Sequence, residues 1–136
     1  MASRIVYEDE WGEIIDRPDA DLIEIRWYDS TAALTADGFQ HWLTRFAEEV
    51  EKAGRKGILT DGTAFRMDPS QMDAEWRDAN IVPRYNSAGV KAFAFHMPEG
   101  MPAIGGEPAI EGPAQYPTAY FGSRAEAVAW IAQSDG

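Results

Sequence analysis

The chain of 136 residues carries a formal net charge of −11 and contains no cysteine. That length predicts one domain over residues 1–136 with a single core, and the missing cysteines exclude disulfides, thiolate metal ligands and cysteine nucleophiles. The acidic balance disfavours nucleic acid and anionic lipid as partners.

The start of the chain, MASRIVYEDEWGE, lacks the apolar core of a secretory signal. No stretch approaches the roughly 20 apolar residues of a membrane span, so we expect a cytoplasmic protein. Acidic side chains are concentrated here, opposed within the stretch only by Arg17: Glu8, Asp9, Glu10, Glu13, Asp16, Asp19, Asp21 and Glu24. We interpret them as a solvated edge that limits strand-to-strand aggregation. The alternative is a docking face for a basic partner.

Two apolar runs open the chain, at residues 4–9 and 21–28. Along the second run Ile23, Ile25 and Trp27 alternate with polar side chains, the period of two expected of a half-buried strand. Because the two runs are adjacent, we expect them to form an antiparallel pair joined by a turn around residues 16–19.

The period then changes to that of a helix. An apolar stripe recurs at helical spacing from Phe39 to Val50. Thr35 is the expected N-cap, and Gly54 fits the left-handed position that follows a last turn. This pattern predicts one long helix.

Shorter elements follow. Residues 57–62 favour a buried strand, and Asp68 with Pro69 favours the start of a second helix, whose inner face would include Met72 and Trp76. Residues 90–97 are apolar on both faces, which is typical of a central strand.

The remainder begins with residues 98–117, which are rich in glycine and proline and predict a long loop. A strand at 118–121 and a helix capped by Ser123 close the chain. The order β-β-α-β-α-β-loop-β-α predicts a single α/β domain with a mixed sheet of four to five strands and helices packed on it.

Several of these segments resemble SpoIIAA-like proteins of the STAS class, named for sulfate transporters and anti-anti-sigma factors. The resemblance rests on the strand GILTDG at 57–62 and on the closing segment YFGSRAEAVAWI at 120–131. It covers nearly the whole chain as architecture and short stretches as motif. It implies a non-enzymatic domain that binds a protein partner, and in relatives of lipid-carrying folds it implies a small apolar ligand.

The same resemblance implies a switch in which a serine is phosphorylated at the start of the helix after the central strand, in a stretch resembling Met-Asp-Ser-Ser-Gly. Residues 67–71 read Met-Asp-Pro-Ser-Gln here. Pro69 therefore stands where that serine would be, and Ser70 is the nearest hydroxyl. The phosphorylation switch does not carry over to this chain.

Catalytic motifs are absent from the sequence. There is no Walker loop, GxGxxG turn, GxSxG elbow or HExxH pair. The two histidines, His41 and His96, are far apart along the chain. We expect no metal and no cofactor.

One candidate site remains. Asp61 ends one predicted buried strand and His96 ends another, and ligands of open α/β sheets lie beyond the carboxyl ends of the strands. If these strands are parallel neighbours, the two side chains lie close together. The candidate ligand-binding residues are Asp61, Thr63, Trp76, Arg84, Tyr85 and His96.

These observations favour a binding or regulatory module over an enzyme, with a small, partly apolar ligand or a protein partner. One alternative is a small hydrolase- or isomerase-like enzyme with His96 as general base and Asp61 orienting it. Another is a protein-interaction module that uses the acidic N-terminal hairpin. The ligand's identity, and whether the chain forms a homodimer, stay open.

Overall fold

The computed structural model describes residues 3–98, 109–110 and 112–134. The strands are β1 Arg4–Glu8, β2 Gly12–Arg17, β3 Leu22–Trp27, β4 Gly57–Asp61, β5 Ala92–His96, β6 Ala109–Ile110 and β7 Pro117–Phe121. The α-helices are α1 Ala36–Ala53, α2 Ala74–Asn80, α3 Val82–Ser87 and α4 Arg124–Gln133.

Across these described residues, the seven strands form one sheet in the order β1-β2-β3-β4-β5-β7-β6. β3, β4, β5 and β7 run parallel, while β1 and β2 extend the sheet antiparallel at one edge and β6 at the other. The predicted α/β class and mixed sheet are confirmed. The predicted count of four to five strands is too low, because β2 and the two-residue β6 add to it.

β2 also corrects the predicted opening pair. It lies between β1 and β3 and pairs antiparallel with both, so the two predicted runs do not pair with each other. Its sequence, GEIIDR, hides the period of two because each side of the strand carries one isoleucine and one acidic residue. Five of its six residues are buried.

Right-handed crossovers explain where the helices lie. The order β3-β4-β5-β7 adds each parallel strand on the same side of the one before, so right-handed connections place their helices on one face. α1 and α3 cover this crossover face, to which Ile58 and Phe93 belong. α4 covers the opposite, terminal-helix face, where Ile131 packs with Leu59 and Ala94.

α1 forms as predicted. The Oγ1 of Thr35 accepts a hydrogen bond from the backbone N–H of Gly38 at 3.2 Å, and Gly54 follows the last turn with a left-handed φ of 64°. The predicted stripe faces the core: Phe39, Trp42, Leu43, Phe46 and Val50 are buried.

α4 also begins where the sequence predicts. The Oγ of Ser123 accepts from the backbone N–H of Glu126 at 3.4 Å. The helix packs so closely on β4 that a Cβ added at Gly57 would overlap Ile131. A glycine at this position therefore permits the contact between helix and sheet.

The second predicted helix begins later than expected. Asp68 caps a single 3-10 turn over Pro69–Gln71, and α2 itself begins after Asp73, whose side chain caps it. Because of this shift, Met72 precedes the helix and is 45% exposed instead of facing the core. Trp76 packs half-buried against the core.

The region predicted as a long loop is partly built into the fold. Residues 99–108 and 111 lie outside the described residues. Of the rest, Ala109–Ile110 forms β6, and Ala114 and Tyr116 are buried in the core of the crossover face. The sequence could not predict that Ala114 and Tyr116 are core residues, because neither belongs to a periodic apolar pattern.

Asp9 is the polar centre of the β1–β2 turn. Its Oδ1 accepts from the backbone N–H groups of Trp11 at 2.8 Å and Gly12 at 3.3 Å, and its Oδ2 accepts from the Tyr7 hydroxyl at 2.7 Å. Trp42 Nε1 donates to the same carboxylate at 3.0 Å. Burial raises the pKa of Asp9, but these hydrogen bonds outweigh burial and leave its pKa lowered. Asp9 thereby joins the turn to α1.

We predict that Asp9→Asn lowers the free energy of unfolding by about 1–3 kcal/mol at pH 7, because an amide keeps one acceptor oxygen and no charge. A lowered folded pKa gives stability that is present above the unfolded pKa of about 3.9 and lost as pH falls through the folded pKa. Urea unfolding at pH 7 and pH 3 should therefore show the gap to wild type narrowing in acid. Glu10→Gln, at the exposed neighbouring acid, is the control, and a gap independent of pH would contradict the charge as its cause.

Candidate functional site

An apolar pocket of about 360 Å³ opens on the crossover face, at the carboxyl ends of the parallel strands. This volume lies within the roughly 300–1,000 Å³ of small-molecule sites. Seven aromatic side chains contribute to its wall: Trp27, Phe39, Phe65, Tyr85, Phe93, Phe95 and Tyr120.

One row of the sheet forms the floor of this pocket. Ile25, Thr60, Phe95 and Tyr120 are register partners across β3, β4, β5 and β7, and all four line the pocket. Parallel pairing in register places these residues side by side. The floor is therefore a direct product of the strand pairing.

The aromatic wall is held by contacts among its own rings. Phe95 stacks on Tyr120 with centroids 5.0 Å apart and an interplanar angle of 8°. Phe93 lies 4.8 Å from Phe95, and Trp27 lies 5.2 Å from Phe65. Such ring pairs stabilise one another, so the wall is held together by its own side chains.

Two polar side chains interrupt this wall. Thr60 is 5% exposed, and its Oγ1 has no hydrogen-bond partner in the described part of the chain. Arg77, on α2, places its Cζ 5.7 Å from the ring centroid of Phe93. Tyr85 also lines the pocket, and burial raises the pKa of its phenol, which keeps it neutral.

Asp61 and His96 lie together, as the sequence predicts. They are register partners on β4 and β5, with 3.9 Å between Asp61 Oδ1 and His96 Nδ1. Thr63 donates to Asp61 Oδ1 from its backbone N–H at 3.0 Å and its hydroxyl at 2.7 Å. However, Thr60 and Phe95, one residue before each, line the pocket. Because side chains alternate along a strand, the Asp61–His96 pair lies on the terminal-helix face, away from the pocket.

The other predicted site residues do not join that pair. Tyr85 lines the pocket from α3. Arg84, its neighbour, forms an ion pair with Glu51 of α1, with 3.0 Å between Nε and Oε2. Trp76 packs against the core without lining the pocket. The structure thus brings Asp61, Thr63 and His96 together and assigns only Tyr85 to the pocket.

Sequence reasoning missed both polar residues of the pocket wall. Thr60 lies within a buried apolar strand, where a single hydroxyl forms no recognisable motif. Arg77 lies on a short helix that also contains no motif. The register of the parallel strands offered a usable signal, because it places residues at equal distances from the strand ends side by side. Counting one residue back from Asp61, His96 and Phe121 would have aligned Thr60 with Phe95 and Tyr120.

The acidic N-terminal stretch is not a solvated edge throughout, which corrects that interpretation. Glu13, Asp16 and Glu24 are buried, and Asp9 is half-buried. Arg55 binds Asp16 with 2.8 Å between Nε and Oδ1, and this hydrogen bond lowers the pKa of Asp16. Partners such as Arg55 come from outside the stretch, so the local charge balance could not reveal them.

Glu24 is the most buried of these acids, with no exposed surface. Its Oε1 accepts from Arg17 Nε and, at 2.6 Å, from Arg124 Nη2. Arg26 lies 3.9 Å from Oε2. Since Arg124 begins α4, this ionic cluster connects the terminal helix to the centre of the sheet.

Three further observations concern metals, membranes and relatives. In residues 3–98, 109–110 and 112–134, no three His, Cys, Asp or Glu side chains are grouped so that they could hold a metal ion. No helix in the same part of the chain combines the length and hydropathy needed to cross a bilayer. Comparisons with protein families, curated proteins and solved structures found no match to this chain.

We predict that Arg124→Met lowers the free energy of unfolding by about 1–2 kcal/mol, because the buried carboxylate of Glu24 loses a charged donor. Amide hydrogen exchange should accelerate in α4 more than in α1. Lys91→Met, which removes an exposed positive charge, is the control. In the double variant with Glu24→Gln the two effects should be less than additive, and strict additivity would contradict a direct interaction.

Proposed function

We propose that this protein binds a small, largely apolar molecule in the pocket of the crossover face and does not transform it. The observation that supports this proposal is a preformed cavity of about 360 Å³ with an almost wholly aromatic and aliphatic wall. Each Å² of apolar surface left accessible forgoes roughly 25 cal/mol of burial free energy. A ligand that fills the cavity would recover this stabilisation.

The position and chemistry of the wall support binding without turnover. Ligands of open α/β sheets lie beyond the carboxyl ends of the strands, where this pocket lies. Among the described residues that line it, the titratable side chains are Arg77, Tyr85 and Tyr120. None of these is a base with an ordinary pKa near neutrality. Asp61 and His96, which could supply acid–base chemistry, lie on the other face.

The closeness of Asp61 and His96 supports a second candidate, the hydrolase- or isomerase-like enzyme. Their 3.9 Å separation exceeds a hydrogen bond, and Asp61 Oδ1 already accepts two hydrogen bonds from Thr63. An acidic docking hairpin has less support, because four of its acids are engaged inside the chain. Membership of the SpoIIAA-like group stays a proposal that rests on the α/β architecture and the capped terminal helix.

The proposal is tested with N-phenyl-1-naphthylamine, an uncharged probe whose fluorescence rises in apolar sites. We expect saturable binding at one site per chain. Met72→Trp should weaken it several-fold, because Met72 lines the pocket and is 45% exposed, so a larger side chain narrows the pocket without disturbing the core. Ile5→Trp enlarges a similarly exposed residue outside the pocket, and this variant should bind the probe as wild type does. Equal affinities in all three proteins would contradict binding at this pocket.

Thr60→Val provides an independent test. Valine has nearly the shape of threonine but no hydroxyl, and the Thr60 hydroxyl is buried without a partner in the described residues. We therefore expect the variant to raise the free energy of unfolding by about 1 kcal/mol, measured by urea unfolding. Thr118→Val, at another buried threonine of the sheet, is the comparison. A destabilised Thr60→Val protein would show that the hydroxyl serves the fold.

A further inference from the structure

We propose that the ligand of this pocket is a small aromatic acid whose negatively charged group pairs with Arg77. This inference rests on the proposed binding function and deepens it. Arg77 is the one positively charged side chain among the described residues of a largely apolar wall. Arg77 is half-buried, and a guanidinium beside apolar surface gives up part of its hydration unless an anion pairs with it.

The arginines of the neighbouring helices show what is unusual about Arg77. Arg84 pairs with Glu51, and Arg45 pairs with Glu49 within α1. Arg55, just after α1, pairs with Asp16. Arg77 takes part in none of the ion pairs formed within the described residues, although the chain has 23 acidic side chains against 12 basic ones. Within residues 3–98, 109–110 and 112–134, its guanidinium therefore has no ion-pair partner that would compete with an anion from outside.

The contact with Phe93 determines what kind of anion fits. A guanidinium near an aromatic ring is held by cation–π attraction and keeps N–H donors along its planar edge. That edge matches the two oxygens of a carboxylate. Bidentate pairing of this kind is directional, so Arg77 would fix the orientation of the ligand as well as its charge.

The remainder of the pocket indicates the body of the ligand. The floor carries the stacked pair Phe95 and Tyr120, whose rings are nearly parallel, with 8° between their planes. Phe93 extends this aromatic surface towards Arg77. A planar ring system can pack against such rings in offset-stacked or edge-to-face geometry. An aromatic body with one acidic group therefore matches both parts of the wall.

The net charge of −11 opposes the approach of any anion, so the two effects must be compared. Repulsion from distant acids is screened over about 8 Å at physiological ionic strength. A charged hydrogen bond inside a pocket acts at contact and changes affinity by roughly 10-fold or more. The local interaction with Arg77 dominates.

Two probes with the same hydrocarbon skeleton separate charge from shape. 8-Anilinonaphthalene-1-sulfonate carries one oxyanion, which stands for the carboxylate, whereas N-phenyl-1-naphthylamine carries none. We expect Arg77→Gln to weaken binding of the sulfonate roughly 10-fold and binding of the neutral probe less than 2-fold. Arg77→Lys should restore part of the sulfonate affinity. Arg84→Gln removes the same charge from a residue that does not line the pocket and should leave both affinities unchanged.

Each outcome is decisive. If Arg77→Gln weakens both probes equally, or weakens neither, Arg77 does not select an anion and this inference is overturned while the binding function stands. If Arg84→Gln weakens the sulfonate as much as Arg77→Gln, the effect comes from net charge and the inference is again overturned. If neither probe binds wild type, the proposed function fails together with it. Circular dichroism of every variant confirms that the comparison is made between folded proteins.

Discussion

Parallel pairing of β3, β4, β5 and β7 is the constraint on which the remainder of this structure depends. Because each strand is added on the same side of its predecessor, right-handed connections place α1, α2 and α3 on one face. The opposite face is left for α4, the last helix of the chain. The same pairing aligns the carboxyl ends of the strands, and the pocket and the Asp61–His96 pair both lie there.

Alternation along the strands then gives the two faces different chemistry at this edge. The row that contains Thr60 and Phe95 lies under the crossover helices, and aromatic side chains surround it there. The next row, with Asp61 and His96, points to the other face, near the ionic cluster around Glu24. A shift of one residue in either strand would exchange the rows. The apolar pocket and the polar cluster are consequently products of one register.

This geometry explains how much the sequence could predict. The α/β class, α1 with its caps, α4 and the closeness of Asp61 to His96 follow from local periodicity and from strand ends. Three features escaped because they depend on distant partners. β2 mixes isoleucine with two acids whose arginine partners lie in other parts of the chain, Arg26 for Glu13 and Arg55 for Asp16. Tyr116 enters the core from a stretch without periodicity. Predicting the pocket would have required knowing which of the two alternating rows of side chains the crossover helices cover.

Polar satisfaction distinguishes the pocket from the remainder of the interior. Three buried side-chain atoms lack a hydrogen-bond partner within the described residues: Glu24 Oε2, His96 Nδ1 and Thr60 Oγ1. The first lies 3.9 Å from Arg26 and the second 3.9 Å from Asp61, so each has a polar group nearby. Thr60 has no such neighbour among the ion pairs and hydrogen bonds of the described chain, and it lies in the floor of the cavity that Arg77 borders. The described part of the chain pairs its buried acids but leaves Arg77 without an ion pair and the Thr60 hydroxyl without a hydrogen bond, both in the wall of one pocket. The fold departs from its own pattern of polar pairing at this wall.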